Sequence, residues 1–182
     1  MIRTALAAAL LATVSTAQAA DWKILPGSAL TFTGEQAGEK FTGRFGRFDA
    51  KISLDPQKLA EAKIVVTVDL ASAATGDRQR DTALPDKDWF DLAAFPQARF
   101  ESRQVTRTAA GYEAVGDLTL RGVTKEVHLP FALAIDGRKA EAKGHADLKR
   151  DAFGVGQGQW ASDEWVSFNV GVDFDLKAER TD

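Results

Sequence analysis

The sequence contains no cysteine, and Met1 is its only methionine. Beyond Met1 the chain therefore offers no thiolate nucleophile, no ligands for an iron–sulfur cluster, no sulfur ligand for copper and no attachment point for covalent haem. Disulfides are excluded too, which is permissible for an exported domain of this size. The fold has to be stable without covalent cross-links.

Positive charge is also limited, since 23 Lys and Arg face 26 Asp and Glu, for a formal net charge of −3. Nucleic-acid-binding domains carry a basic patch, so we expect no nucleic-acid partner. The apolar run Ala5–Val14 follows a short basic start and precedes a small-x-small site at Ala17–Ala19. That pattern is typical of a secretory signal peptide over residues 1–19, cleaved before Ala20. It predicts a periplasmic protein with one domain over residues 20–182.

Histidine is limited to His128 and His145, both on the polar face of alternating segments. A two-residue turn at Asp136-Gly137 would set the two histidines opposite each other as a possible two-ligand metal site. A four-residue loop would instead pair His128 with Asp147, which suits the charges better. A structural zinc site needs four ligands, so we expect no metal here.

The clearest pattern in the chain lies in Gly111–Ile135, which predicts two strands joined by a tight Arg121-Gly122 turn. A two-residue turn with glycine matches the twist of an antiparallel pair, and it places Leu120 opposite Val123. Side chains alternate with period two, so the apolar residues of both strands then share one face, with Lys125 as the exception. Turn chemistry and apolar alternation select the same register.

Similar alternation predicts further strands at Ala29–Gly34, Glu39–Leu54, Lys63–Leu70, Ala98–Arg103, Lys139–Arg150 and Glu164–Leu176. Within the second of these the apolar phase changes from odd to even positions, which indicates a β-bulge at Gly46-Arg47. About eight antiparallel strands admit a sandwich or a closed barrel. The bulge and a single helical insertion favour an all-β, eight-stranded antiparallel barrel.

The apolar face mixes phenylalanines with small residues such as Gly43, Ala114 and Gly144. Eight strands enclose a lumen that large side chains can just fill, or that holds one small ligand. The small residues predict a channel beside the large ones. They would equally fit the taper of a packed barrel, so both interpretations stand at this point.

The insertion Thr75–Pro96 breaks the strand pattern, and Asp77 or Thr75 could cap a short helix that ends at Leu84. Trp89 and Phe90 follow, as a lid over one end of a barrel or as a plain hydrophobic plug. The polar cluster Asp77–Asp81 could hold a catalytic acid or base. Charges on a capped surface helix are usually solvated or paired locally, so an enzyme is the alternative hypothesis.

Four segments in series resemble the YceI-like family: FTGRFGRFDAKISLDP, LASAATGDRQRD followed by DWFDLAAFPQARFES, VGDLTLRGVTKEV, and KRDAFGV. Their order and spacing match across nearly the whole chain after residue 19. The resemblance implies an exported lipid-binding protein with a lipocalin-like barrel. It also implies an elongated isoprenoid or fatty-acyl ligand in the lumen and no settled enzymatic activity.

We therefore expect a carrier rather than an enzyme, with no cofactor beyond the bound lipid. The ligand would be an isoprenoid quinone, a polyprenyl chain or a fatty-acyl compound. Transient contact with a membrane or a membrane redox protein is expected as well. Lys125 could reach a polar head group, or its stem could pack inside while its ammonium snorkels to water. The residues expected to line the ligand site are Phe32, Phe41, Phe45, Val66, Val68, Trp89, Phe90, Phe100, Leu118, Val127, Leu129, Phe131, Phe168 and Val170.

Overall fold

The computed structural model describes residues 20–181, so the expected signal peptide lies outside the described residues. Within that range no helix is both long enough and apolar enough to span a bilayer. The strand segments are β1 (Asp21–Ile24), β2 (Ala29–Gln36), β3 (Glu39–Phe45), β4 (Phe48–Ser53), β5 (Lys63–Asp69), β6 (Ala73–Ala74), β7 (Gln97–Thr108), β8 (Gly111–Leu120), β9 (Val123–Asp136), β10 (Lys139–Lys149) and β11 (Asn169–Arg180). The helix is α1 (Arg78–Ala83), and short 3₁₀ turns cover Leu59–Glu61, Leu70–Ser72, Asp151–Phe153 and Gly158–Trp160.

The strand segments of residues 20–181 form one antiparallel sheet that closes on itself. β1 with β2, β3 with β4, and β5 with β6 are consecutive pieces of three bent strands, so the ring contains eight strands in up-and-down order. β11 completes it by pairing with β2 along one half and with β1 along the other. The predicted eight-stranded antiparallel barrel is confirmed.

The predicted bulge is present as a break between β3 and β4. β3 ends at Phe45 and β4 begins at Phe48, and the two pieces pair with different partners, β6 and β5. The N–H of Gly46 donates to the Ser72 carbonyl at 3.1 Å, and Arg47 Nε donates to Asp69 at 2.8 Å. The extra residues let one strand bend sharply enough for the sheet to close.

The β8–β9 hairpin has the predicted register, with Leu120 opposite Val123 and Tyr112 opposite Phe131. Arg121 and Gly122 take φ values of +49° and +72°. Two successive left-handed residues are the requirement of a type I′ turn, which only glycine meets without steric cost. Local turn chemistry thus sets the position of both strands.

The β9–β10 hairpin settles the two alternatives for the histidines. Ile135 lies opposite Ala140, which is the register of the alternative that suited the charges better, so the two histidines do not face each other. The ladder stops at Phe131 and Gly144, beside Pro130, which has no N–H to donate. The 3₁₀ turn Asp151–Phe153 contacts β9, and its Phe153 is buried.

One end of the barrel is closed by packed side chains. Trp22 and Leu54 are buried there, and the indole Nε1 of Trp22 donates to the Leu54 carbonyl at 2.9 Å. Val105 and Tyr112 are buried in the same cluster, and the Tyr112 ring stacks on Phe131 at 5.5 Å between centroids. This end of the molecule is a conventional hydrophobic core.

Candidate functional site

The barrel encloses a cavity of about 360 Å³. Inward-facing residues from the strands form its wall, and Trp22 and Leu54 form its floor. The interior is therefore hollow, and the interpretation of a fully packed barrel is wrong. A volume of this size lies within the range of about 300–1,000 Å³ that is usual for small-molecule sites.

The cavity exists because large aromatic rings lie over glycines of the neighbouring strand. Phe32 is paired with Gly43, and Phe174 with Gly144. In each pair the ring occupies the space that a side chain on the glycine would need. Because the rings use that space along the wall, they leave the barrel axis open, as the mixture of large and small residues predicted.

Thirteen of the fourteen residues expected to line the ligand site do line the cavity. Phe168 is the exception. It lies just before β11, with its ring 5.0 Å from the guanidinium carbon of Arg150, and it is not part of the cavity wall. Alternation along β11 does not extend to a residue that precedes the strand, which is why the prediction failed there.

Lys125 is exposed and is not part of the cavity wall, so the structure does not place it as a head-group contact in the cavity, and its ammonium is in water. Its partner across the hairpin, Leu118, does line the cavity. Lys125 lies on the part of β9 that has no β10 neighbour, because that ladder ends at Phe131. Where one side of a strand has no neighbouring strand, an inward-facing side chain stays open to solvent.

The polar residues of the wall all lie at the end opposite Trp22, which we call the mouth. They are Gln36, Thr75, Gln79, Arg80, Arg150 and Ser167. Among the lining residues in the described range, Gln79 alone is exposed, so the cavity opens beside α1. Arg80 is held there by hydrogen bonds to Gln36 Oε1 at 3.1 Å and to Thr75 Oγ1 at 3.3 Å.

The carboxylates of the Asp77–Asp81 cluster are engaged within the insertion itself. Asp77 caps α1 by accepting from the N–H groups of Gln79 and Arg80, each at 3.0 Å. Asp81 accepts from the N–H and the hydroxyl of Thr75, each at 2.7 Å. The Thr75 hydroxyl holds the pKa of Asp81 below its usual value, so Asp81 is ionised. Neither carboxylate lines the cavity, which supports a capping role rather than chemistry on a bound lipid.

Arg150 organises the loop on the other side of the mouth. The residue is 4% exposed, and its side chain donates hydrogen bonds to the carbonyls of Val155, Gly156, Ser162, Val166 and Ser167 at 2.7–3.3 Å. Burial lowers the pKa of this guanidinium from its ordinary value. All five N–H groups of an arginine are used in this way. Arg150 therefore fixes the irregular loop between β10 and β11 at the rim.

Trp89 and Phe90 lie at the same end and line the cavity. The Trp89 ring is 5.6 Å from that of Trp160, and Phe90 is 6.4 Å from Phe45 between centroids. They cover part of the mouth from the side of the insertion. Their role as a lid that moves stays a prediction.

The two histidines lie on the outer surface and in separate clusters. His145 contacts Asp173 at 2.8 Å and Asp147 at 3.2 Å, whereas His128 lies 3.4 Å from Glu113 and 3.6 Å from Glu126. The hydrogen bond with Asp173 raises the pKa of His145 above its ordinary value. These contacts lie on the outer face of the barrel wall, and neither histidine lines the cavity.

Sequence reasoning missed Arg150, Trp160 and the role of Arg80 in the mouth. The available signal was the insertion Thr75–Pro96, because loops between barrel strands surround the opening of the lumen. The burial of Arg150 had no sequence signal, since its five carbonyl partners come from an irregular loop.

The chain matches the model of the YceI-like domain over residues 22–178. The chain belongs to the YceI-like family. A UPF0312 protein of Photorhabdus laumondii is 39% identical over 136 residues, covering 72% of this chain and 71% of the relative. The solved structure of BcnA from Burkholderia cenocepacia has 33% identity and a TM-score of 0.78, covering 82% of this chain and 95% of that one.

A polyisoprenoid-binding domain from Saccharophagus degradans has the same fold as this YceI-like protein. Its TM-score is 0.65 over 90% of this chain and 99% of that one, at 18% identity. At that identity the likeness concerns the fold alone. The family membership expected from the four sequence segments is confirmed.

Proposed function

We propose that this YceI-like protein is a periplasmic carrier that binds an elongated apolar lipid inside its barrel. The observation that carries the proposal is the cavity of about 360 Å³, whose wall is apolar except at one end. Such a site favours a chain with one polar end over a compact polar molecule. A neighbour of the same fold is described as a polyisoprenoid-binding domain, which supports an elongated apolar chain as the ligand.

The size of the cavity limits how much of a chain it covers. An apolar cavity of roughly 150 Å³ holds one benzene ring, so by proportion this one covers about 14 carbons. At ~0.8 kcal/mol per buried CH₂, that contributes roughly 11 kcal/mol before the costs of association are subtracted. The proposed ligand is an isoprenoid quinone, a polyprenyl chain or a fatty-acyl compound, and a longer chain would extend out of the mouth.

Mass spectrometry of organic extracts tests the carrier proposal. Ala142 lines the cavity between Leu133 and Leu176, so Ala142→Phe fills part of the lumen. Ala134 lies on the exposed face of β9, so Ala134→Phe is the matched control. We expect wild type and Ala134→Phe to carry extractable lipid, and Ala142→Phe to carry several-fold less.

Lipid-free protein that also ignores added prenylquinones and polyprenols would contradict the proposal. Equal occupancy in folded Ala142→Phe would contradict the location of the ligand.

Export is tested separately, by sequencing the N-terminus of the protein from the periplasmic fraction of a Gram-negative host. We expect the mature chain to start at Ala20.

Loading from a membrane, directly or through a membrane redox protein, is part of the same proposal. Trp165 is 60% exposed and directly precedes Val166, which lines the cavity. Tryptophan is favoured at membrane interfaces because one end of its ring is apolar and the other polar. We expect Trp165→Ser to slow uptake of a prenylquinone from vesicles without changing the final occupancy, and an unchanged rate would remove Trp165 from the proposal.

A further inference from the structure

The indole Nε1 of Trp89 is buried without a hydrogen-bond partner among the described residues. Two other buried side-chain atoms in residues 20–181 share this condition, Nε of Arg121 and Oδ1 of Asp175. Neither Arg121 nor Asp175 lines the cavity, whereas Trp89 does. The unpaired donor of Trp89 is thus the one that belongs to the candidate ligand site.

The aromatic neighbour and the cation packed on Trp89 offer no oxygen or nitrogen acceptor for this N–H. The guanidinium of Arg150 lies over its ring at 5.6 Å, and arginine has no acceptor atom. Trp160, at 5.6 Å between ring centroids, offers only another N–H. Buried donors in native proteins are nearly always paired, so an unpaired one in a cavity wall indicates an acceptor that is not part of the protein.

A second donor at the mouth, Nη2 of Arg80, is open to solvent, since it is not among the buried unpaired atoms of residues 20–181. Arg80 employs Nε and Nη1 in its bonds to Thr75 and Gln36, and within the described part of the chain its Nη2 makes no hydrogen bond. Its guanidinium lies over the Phe41 ring at 4.4 Å, which holds it against the cavity wall. Trp89 and Arg80 come from the same insertion between β6 and β7. The mouth therefore presents spare donors beside an apolar lumen.

We propose that the polar end of the bound lipid is an oxygen hydrogen-bond acceptor, which takes the Trp89 Nε1–H, with Arg80 Nη2 as a second donor. The chemistry it requires is a carbonyl or phosphate oxygen at the end of a prenyl or acyl chain. This inference rests on the carrier proposal, because it specifies the ligand of the same cavity. It adds that the site selects among apolar chains by the oxygen they carry.

Two prenyl ligands of equal chain length test the inference, a prenyl-1,4-benzoquinone and the corresponding prenylbenzene, which has no oxygen. Their affinities for wild type and Trp89→Phe are measured by displacement of a fluorescent fatty acid. One hydrogen bond is worth a factor of about 3 to 10 in affinity. We expect Trp89→Phe to lower the affinity for the quinone by that factor more than it lowers the affinity for the prenylbenzene.

Replacement of Trp89 by benzothienylalanine is the second variant, because it removes the N–H and keeps the bicyclic ring. Trp160→Phe is the packing control, and it should change both ligands by the same factor. Thermal unfolding shows that each variant is folded. The inference is overturned if, in both Trp89 variants, neither the quinone nor a prenyl diphosphate loses more affinity than the prenylbenzene does.

The prenyl diphosphate arm identifies the source of the oxygen. A selective loss for the quinone supports a carbonyl acceptor, and a selective loss for the diphosphate supports a phosphate acceptor. Arg80→Met should add to whichever loss is observed. If wild type binds none of the three ligands, the carrier proposal itself fails, and that outcome is distinct from binding without discrimination.

Discussion

Both ends of the barrel contain a tryptophan that lines the cavity, but only one of the two indole N–H groups has a hydrogen-bond acceptor within residues 20–181. At the closed end Trp22 Nε1 donates to the Leu54 carbonyl at 2.9 Å. At the mouth, no residue in the range 20–181 accepts from Trp89 Nε1. Trp22 at the floor is thus paired within the protein, whereas Trp89 at the mouth keeps an unpaired donor.

The remaining polar groups follow the same division. The mouth holds Arg80, Gln79 and the buried Arg150, whereas the floor has apolar lining around Trp22. A buried guanidinium is tolerated because five carbonyls surround it, and it then fixes the loop that carries them. On the proposed function, the residues of the floor stabilise the fold and the residues of the mouth bind the polar end of the lipid.

The largest expected effect comes from removing the cation at the mouth. Arg150→Met leaves buried carbonyls without donors, and we expect a loss of more than about 3 kcal/mol in the free energy of unfolding. Urea denaturation measures the loss, and hydrogen exchange over residues 153–168 locates it. Arg103→Met is the control, because Arg103 is half exposed in surface ion pairs worth under about 1 kcal/mol. A loss of less than about 1 kcal/mol for Arg150→Met, as expected of a surface ion pair, would contradict the role of Arg150 in fixing the loop.

The wall between the two ends is tested by Gly43→Ala. The new Cβ would overlap the ring of Phe32, which must then swing towards the lumen. Overpacking of this kind costs about 1–3 kcal/mol, and we also expect lipid occupancy to fall. Gly38→Ala is the control for space, since no atom lies within 4 Å of its missing Cβ. That control retains a φ of +81°, so it should destabilise through the backbone while occupancy stays unchanged.

Matched substitutions at the two tryptophans sharpen the comparison most directly. Trp22→Phe removes a donor from the buried Leu54 carbonyl, so we expect a loss of about 1–3 kcal/mol in stability. Trp89→Phe removes a buried donor that has no partner, so no hydrogen bond is lost and the desolvation cost of that donor is relieved. Chemical denaturation of lipid-free protein compares the two. If Trp89→Phe lost more stability than Trp22→Phe, the division between the ends would be wrong.

The smallest expected effect is a pH dependence on the outer wall, remote from both ends. Asp173 and Asp147 raise the pKa of His145 in the folded state, so the protonated form is favoured by folding. This contribution is fully present below the unfolded pKa of about 6.5, and it is lost as the pH rises through the folded value. Because the pair is half exposed, we expect less than about 1 kcal/mol. Denaturation of wild type and His145→Gln at pH 5.5 and pH 8.5 measures it, and a difference that grows with pH would contradict the assigned direction.

The parts of the fold that depend on local chemistry were predictable. The Arg121-Gly122 turn and the alternation around it predicted the β8–β9 register, and the change of phase predicted the break at Gly46-Arg47. Two registers remained open for the β9–β10 hairpin, because its turn did not distinguish them. In the observed register Asp136 lies opposite Lys139, so the turn residues are Gly137, at a φ of +58°, and Arg138.

The mouth was less predictable, because its residues come from segments distant in sequence. By alternation the side chain of Lys125 should face inward, but alternation does not indicate whether a neighbouring strand encloses that position. Arg80 appeared only as one member of a charged helix, and its place beside Gln36 depends on closure of the barrel. Phe168 was assigned to a strand that begins one residue later.

The sequence by itself determined the alternating strands and favoured a closed barrel, because period-two patterning, turn residues and the mixture of large and small side chains are local properties. Only the tertiary structure decided which end is open, which cation is buried and which indole N–H lacks a partner. Those outcomes depend on the relative positions of the insertion after β6 and the loop after β10. No local pattern encodes such positions, since they arise when the sheet closes and brings the two segments to the same rim.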